Sequence, residues 1–412
     1  MINWLTQYIG TASYIEGYRY CEEYGFTCLD VRDLVDKRGN TQQSIRVKIE
    51  DGIKLLGQGN KIVVCCDYGM SRSNSIAIGI IVKYENRSFE NVVEDVVKIV
   101  GKDAIKPEVL HTVRISLDQQ EITEKESVVL VTGAAGFIGR SLVAELENDG
   151  HKTIALSSNE INLEEDIIKL DLLVTQVRPT HIVHLANPKI YTNNAAMGKT
   201  LIMMKNILDI CTIHKINLIY PSSWEVYSGY ASEGLCASEN LPLFPKGTYG
   251  ETKYLCEQLI KNRGIQDGLS YAIVRLSPVY GAKSERPKFI YNFINKALNN
   301  EPIITHNYHN GSPQLDLLYI DDAVKALNTI ITQNLIGDYN IGTGNIISTN
   351  RVAELIVEAA SSTSSIFHNN IDEYAPNIIM DASKLKRQTG WRTTMCFENW
   401  ILDLIKSIIQ NR

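Results

Sequence analysis

Short apolar runs alternate along the chain with segments of helical spacing, and one polar stretch interrupts them. Near the N-terminus FTCLDV and KIVVCC read as strands, while apolar residues from Ser44 to Leu56 and from Ser73 to Tyr84 recur with the period of a helix that buries one face. Residues 117 to 126, LDQQEITEKE, have no apolar period and follow a helix expected to end near Ile115. Downstream, VVLVT, KTIAL, HIVHLA, NLIYPSS and YAIVRL are each followed by a helical segment, the pattern of right-handed crossovers in a doubly wound parallel sheet. After Gly281 the alternation weakens. The expected organisation is α/β throughout: a small α/β domain at 1–117, a linker at 118–126, and a larger domain at 127–412 whose smaller substrate lobe starts at about residue 282. There is no internal repeat and no low-complexity tract.

Composition narrows the class. A length of 412 residues supports two or three cores, and 44% hydrophobic with 21% charged residues excludes disordered and fibrous chains. A net charge of −6 gives no general attraction to nucleic acid or to an anionic membrane, so a phosphate-bearing ligand needs a local site. The start, MINWLTQYIG, lacks the basic region and apolar run of a signal peptide, and no apolar stretch reaches the roughly 18–20 residues that span a bilayer, so a cytoplasmic protein is expected. Eight cysteines, of which only Cys65 and Cys66 are adjacent, form neither a disulfide framework nor a zinc ligand set. No metal is expected; one reactive thiol is.

That thiol is Cys66. It ends an apolar strand, and Asp67, Tyr68, Gly69, Met70 and Ser71 separate it from Arg72 and Ser73. A tight loop of this kind points consecutive backbone amides inward, and the following helix adds its N-terminal partial charge, which holds a phosphate and favours a thiolate. Arg72 is suited to bidentate contact with phosphate oxygens. The spacing Cys66, Gly69, Arg72, Ser73 resembles the signature of the dual-specificity branch of the protein tyrosine phosphatase family, over about 110 residues. The resemblance implies phosphomonoester hydrolysis with Asp36 as general acid, or Asp33 in its place, and with Ser73 assisting release of a phosphocysteine. The substrate it implies is a sugar phosphate or a phosphoprotein. Cys65 stands where the family usually has histidine, which leaves two alternatives open: reduced turnover, or a reversible disulfide between Cys65 and a neighbouring thiol. A buried structural thiol at Cys66 is the plain alternative.

The second cluster begins at Thr132. Val128–Val131 reads as a central strand, followed at once by Gly133, Gly136 and Gly139, which serve a tight turn, backbone approach to a pyrophosphate and helix-on-strand packing. Tyr249 and Lys253 lie four apart on one face of a helix, and Ser223 lies four residues before Tyr227. With HLAN at His184, SPVYG at Ser277, LLYIDDAV at Leu317 and YNIGTG at Tyr339, these residues resemble the extended short-chain dehydrogenase/reductase superfamily over about 285 residues. The resemblance implies a Rossmann-type sheet and catalysis by Ser223, Tyr249 and Lys253. It places the dinucleotide on Gly133, Gly136, Phe137, Ile138, Gly139, Arg140, Ser157, Ser158, Leu185, Ala186, Tyr249, Lys253 and Pro278, and it hints at a homodimer.

The second strand ends in Ser157 and Ser158 where NAD-binding relatives carry an acid; with Arg140 nearby, this favours NADP over NAD. Trp224 and Glu225 follow Ser223 where dehydratases of the superfamily carry Asp and Glu, so 4,6-dehydration is disfavoured, and Glu225 is a candidate ligand of a substrate hydroxyl. Lys283, Arg286 and Lys288 follow SPVYG, and Arg286 is the residue chosen to meet a substrate diphosphate. The expected activity is a bifunctional enzyme: a cysteine phosphatase joined to an NAD(P)-dependent epimerase or ketoreductase of a nucleotide sugar. Two alternatives stand beside it. The N-terminal domain is a phosphate-binding or redox-sensing regulator, or the sugar reaction is a decarboxylation or dehydration.

Overall fold

The computed structural model describes residues 2–37, 39–117, 127–230, 234–281 and 288–410. The expected linker 118–126, Lys283 and Arg286 lie outside the described residues, as does the side chain of Lys288. The chain divides into two compact units, residues 1–125 with 165–176 and residues 126–164 with 177–412. Segment 165–176 counts with the first unit because Ile168, in the helix Ile167–Val177, joins that unit's apolar cluster.

In the first unit the strand Ile62–Cys66 is buried throughout, between the parallel strands Ile9–Ser13 and Thr27–Asp30, and Asn3–Trp4 adds an antiparallel edge. Side chains alternate across this strand. Val64 and Cys66 face the cluster that contains Ile45, Ile49, Ile76 and Ile80, from the helices Gln42–Gly57 and Ser71–Tyr84. Val63 and Cys65 face the opposite layer, with Ala12 and Cys21. The first helix starts before the expected Ser44 because the Thr41 hydroxyl accepts from the Ser44 amide at 3.0 Å and caps it.

The second unit is built on six parallel strands in the order Gly337–Ile341, Tyr271–Leu276, Asn217–Ser223, His181–His184, Val128–Thr132, Lys152–Leu156. The Rossmann-type doubly wound arrangement is therefore present. The chain moves outward from Val128–Thr132 to Lys152–Leu156 and then crosses to His181–His184, which opens a crevice at the carboxyl ends of these strands. The sixth strand, Gly337–Ile341, overlaps the start of YNIGTG, and Gly337, Asp338 and polar Asn340 hide its apolar run.

A smaller lobe has a four-stranded sheet, Ile347–Ser348, Gln314–Leu315, Ile378–Met380 and Leu235–Ala237, and a core around Ile294, Val352, Ile356 and Trp400. The expected start of this lobe at about 282 is corrected: Leu235–Ala237 already leaves the main sheet to pair with Ile378–Met380. Among the described residues no helix is long and apolar enough to cross a membrane.

Candidate functional site

At the switch point the strand Val128–Thr132 runs into Gly133, whose φ of +68° and whose place against the backbone leave no room for a side chain: a Cβ there would lie 2.7 Å from the Ala186 amide nitrogen. A Cβ on Gly139 would lie 2.3 Å from the Gly133 carbonyl oxygen, so the helix Phe137–Asn148 packs tightly under the turn. That helix has Gly136 at its N-cap and no side-chain cap, which leaves its first amides facing the crevice. The crevice is a cavity of about 530 Å³ lined by Gly133, Gly136, Ser157, Leu185, Ala186 and Tyr249 among others. Its side-chain-free turn and open helix end fit a dinucleotide pyrophosphate.

Of the expected cofactor residues, Ser158 also lines this cavity, whereas Gly139 supports it from below and Phe137 and Ile138 pack on the apolar core. Arg140 donates to the Ala135 carbonyl, and the Pro278 carbonyl accepts from the Leu318 amide. Ser157 carries the main correction. The sequence appeared to leave this strand end without a carboxylate, but Glu160 folds back and accepts from the Ser157 amide at 2.8 Å and the Ser157 hydroxyl at 2.7 Å. These bonds hold the Glu160 carboxyl below its usual range. A carboxylate therefore stands at this strand end, supplied by the turn after the strand rather than by the strand itself.

Ser223 ends its strand and accepts from the Glu225 amide at 3.2 Å. The helix Thr248–Asp267 brings Tyr249 and Lys253 alongside, pressed so closely that a Cβ on Gly250 would meet the Glu225 carbonyl at 2.6 Å. Lys253 Nζ donates to the Pro221 carbonyl at 2.9 Å and lies 5.7 Å from the Tyr249 ring centre. Burial lowers its pKa to about 8. Glu225 is shifted the other way: burial raises its carboxyl above the usual value, and the charge of Lys253 opposes the rise. His184, whose Nδ1 lies 2.9 Å from the Thr132 hydroxyl, is pushed down to about 3 by burial and then by Lys253, so its ring is neutral.

Three contributors escaped sequence reasoning. Tyr191 packs its ring 4.8 Å from that of Tyr249, from a loop with no periodicity to mark it. Glu257 and Arg275 form a fully buried pair at 2.7 Å, and Glu257 accepts from Ser222 at 2.6 Å. Glu257 did leave a signal: it stands four residues after Lys253, on the same helix face as Tyr249.

In the first unit the loop after Cys66 curls as its residues require. Gly69 has φ +68°, and a Cβ there would lie 2.3 Å from the Ser13 amide nitrogen. The helix starting at Ser71 has no side-chain cap on its N-terminus. Cys66 Sγ lies 3.4 Å from Ser73 Oγ, which donates to the Met70 carbonyl at 3.0 Å. Ser71 Oγ accepts from the Lys106 amide at 3.0 Å, while Tyr68 and Met70 are exposed.

Arg72 is buried and donates to the carbonyls of Arg32 and Leu34 at 3.2 and 3.0 Å, which draws the chain carrying Asp33 and Asp36 to the loop. Asp36 pairs with Lys106, and its Oδ1 is buried with no hydrogen-bond partner; Asp33 pairs with Lys48 at 3.0 Å and is exposed. Asp67, expected in the phosphate-binding loop, places its carboxylate on Arg72. The alternative of a disulfide between Cys65 and a neighbouring thiol does not extend to Cys66, because alternation along the strand puts these two thiols on opposite faces. A hydrogen bond with Cys28, then burial, raises the Cys65 thiol far above its usual pKa and keeps it protonated.

Residues 129–342 match the model of the NAD dependent epimerase/dehydratase family. A putative UDP-glucose 4-epimerase of Methanocaldococcus jannaschii is 28% identical over 295 residues, covering 64% of this chain and 93% of that protein. The dTDP-glucose 4,6-dehydratase of Haemophilus influenzae is 23% identical over 335 residues, covering 69% of this chain and 98% of that protein. The crystal structure of Thermus thermophilus UDP-glucose 4-epimerase in complex with NAD shares the fold, with a TM-score of 0.61 at 24% identity over 68% of this chain and 99% of that one.

Proposed function

Given that the chain belongs to the NAD dependent epimerase/dehydratase family, we propose that its second unit epimerises or reduces the sugar of a nucleotide-activated carbohydrate. The first unit, on the same reading, hydrolyses phosphomonoesters through Cys66. The observation that carries the sugar reaction is the buried Lys253 lying 5.7 Å from the ring of Tyr249, which itself lines a glycine-floored cavity.

A nicotinamide bound in that cavity supplies the hydride chemistry. The protein's own part is proton transfer and positioning. Tyr249 takes the proton of the sugar hydroxyl as a carbonyl forms and returns it on reduction, while Lys253 as an ammonium favours the phenolate. Ser223 donates to the same sugar oxygen and fixes it. The Glu160 carboxylate at Ser157 accepts from a ribose hydroxyl and repels a 2′-phosphate, which favours NAD over NADP. Relatives whose names specify UDP- or dTDP-glucose support a nucleotide sugar as substrate. A second reading has one specific support: the raised carboxyl of Glu225 beside Ser223 is the acid or base that a dehydration or decarboxylation needs.

In the first unit the Cys66 thiolate attacks phosphorus and the ester P–O bond breaks. Asp36 protonates the leaving oxygen, and water then cleaves the phosphocysteine to release inorganic phosphate. Asp36 is preferred to Asp33 because its Oδ1 is buried without a partner whereas Asp33 is exposed. The test is a double dissociation on the full chain. Cys66→Ser abolishes aryl phosphate hydrolysis and spares nucleotide-sugar turnover, and Tyr249→Phe does the reverse; persistence of both activities in both variants rejects the reading.

A further inference from the structure

Arg72 is 7% exposed, and its guanidinium nitrogens are unequally used. Nη1 is committed inward, to the carbonyls of Arg32 and Leu34. Nη2 donates to the carboxylate of Asp67, and Nε is buried without a hydrogen-bond partner. The Nε and Nη2 edge is therefore the one left for a planar, bidentate grip on an oxyanion. Half of that edge is already held by Asp67, the residue directly after Cys66, whose side chain is 51% exposed. The loop conformation forced at Gly69 keeps this carboxylate on the cradle itself.

We propose that Asp67 sets the oxyanion affinity of the cradle, as an internal carboxylate that Arg72 must release before it grips a phosphate through Nε and Nη2. The inference rests on the phosphomonoester reading of the first unit. Two effects act in the same direction. A phosphate must replace a charge-assisted hydrogen bond that is already made, and the displaced carboxylate remains beside the bound dianion and repels it. The half-exposure of Asp67 lets it swing into solvent, so the cradle is weakened rather than closed. An anion that cannot make both hydrogen bonds does not displace it, which selects tetrahedral phosphate over small monovalent anions.

The experiment titrates inorganic phosphate into the full-length protein by calorimetry, with wild type, Asp67→Asn, Asp67→Ala and Cys66→Ser, and measures the KM and kcat of aryl phosphate hydrolysis. Thermal melting of each variant confirms folding, and two substitutions guard against one that disturbs the loop. Both Asp67 variants are expected to bind phosphate about tenfold more tightly or better and to lower KM, because a hydrogen bond between charged groups is lost only from the free state. If wild type binds phosphate and both folded Asp67 variants bind it equally or more weakly, Asp67 only shapes the loop and the inference fails. If no folded protein of the set binds phosphate or hydrolyses the ester, the phosphomonoester reading itself fails and takes the inference with it.

Discussion

Lys253 Nζ is held at 2.9 Å by the carbonyl of Pro221, a residue with no N–H in the middle of a central strand. The position is tolerated for a geometric reason. The Asn217 amide bonds toward the His181–His184 side and the Leu218 amide toward Tyr271–Leu276, so alternation turns Pro221 toward the former. Pairing on that side stops at Ile219. The ladder on that side thus ends where the proline supplies no N–H, and the Pro221 carbonyl beyond it fixes the lysine.

Burial gives Lys253 a pKa of about 8, so it is charged below that value and loses its proton above it. Because the ammonium favours the Tyr249 phenolate, kcat is expected to fall as pH rises through about 8. Lys253→Met should lower kcat by about 10²–10⁴-fold and remove that falling limb. A pH profile of both proteins checks this; an unchanged alkaline limb in Lys253→Met would assign it to another group.

Glu160 is expected to decide the dinucleotide. Wild type should bind NADH more tightly than NADPH, and Glu160→Ala should reduce the preference by about tenfold, as one lost charge interaction allows. Fluorescence titration of both nucleotides reads this directly. Equal ratios in the two proteins would mean that the Glu160–Ser157 contact only shapes the turn.

Burial raises the Glu225 carboxyl, so the folded state binds its proton more tightly than the unfolded chain does. The sign follows: this stabilisation is full below the unfolded value of about 4.5 and is lost as pH rises through the raised folded value. Glu225→Gln should therefore melt at a higher temperature than wild type near pH 8 and lose that advantage near pH 4.5. Melting curves across this range suffice.

Glu257 and Arg275 are 0% and 1% exposed and tie the helix of Tyr249 and Lys253 to two strands. Glu257→Ala leaves Arg275 paired with Asp338 at 2.8 Å but without its fully buried carboxylate, so it should cost about 3 kcal/mol in denaturant unfolding, the low end for a broken buried pair. A cost below about 1 kcal/mol would mean that water enters and solvates Arg275.

Much of this was legible in the residues, for identifiable reasons. Apolar runs such as VVLVT and KIVVCC have no reading other than buried strands, and the glycines at 69 and 133 stand where a Cβ would meet backbone. Cys66 with Arg72, and Tyr249 with Lys253, are close in sequence, so spacing alone brings them together. What escaped depends on loops and tertiary packing. Glu160 reaches Ser157 by a turn that no period marks, and Asp67 meets Arg72 only because the loop curls back. The strand Gly337–Ile341 was hidden by polar Asn340, whose side-chain amide donates to the Tyr227 hydroxyl and the Ala237 carbonyl. The opposed directions of Cys65 and Cys66 were available from strand alternation alone.

The most direct test of the central claim, that Ser223, Tyr249 and Lys253 act on a nucleotide sugar beside a dinucleotide, is chromatography of UDP- and dTDP-sugars incubated with the protein and NAD or NADH. Wild type should convert at least one of them, and Tyr249→Phe should lose about 10²-fold or more of that activity while its NADH affinity is unchanged. Conversion that survives Tyr249→Phe undiminished would contradict the account.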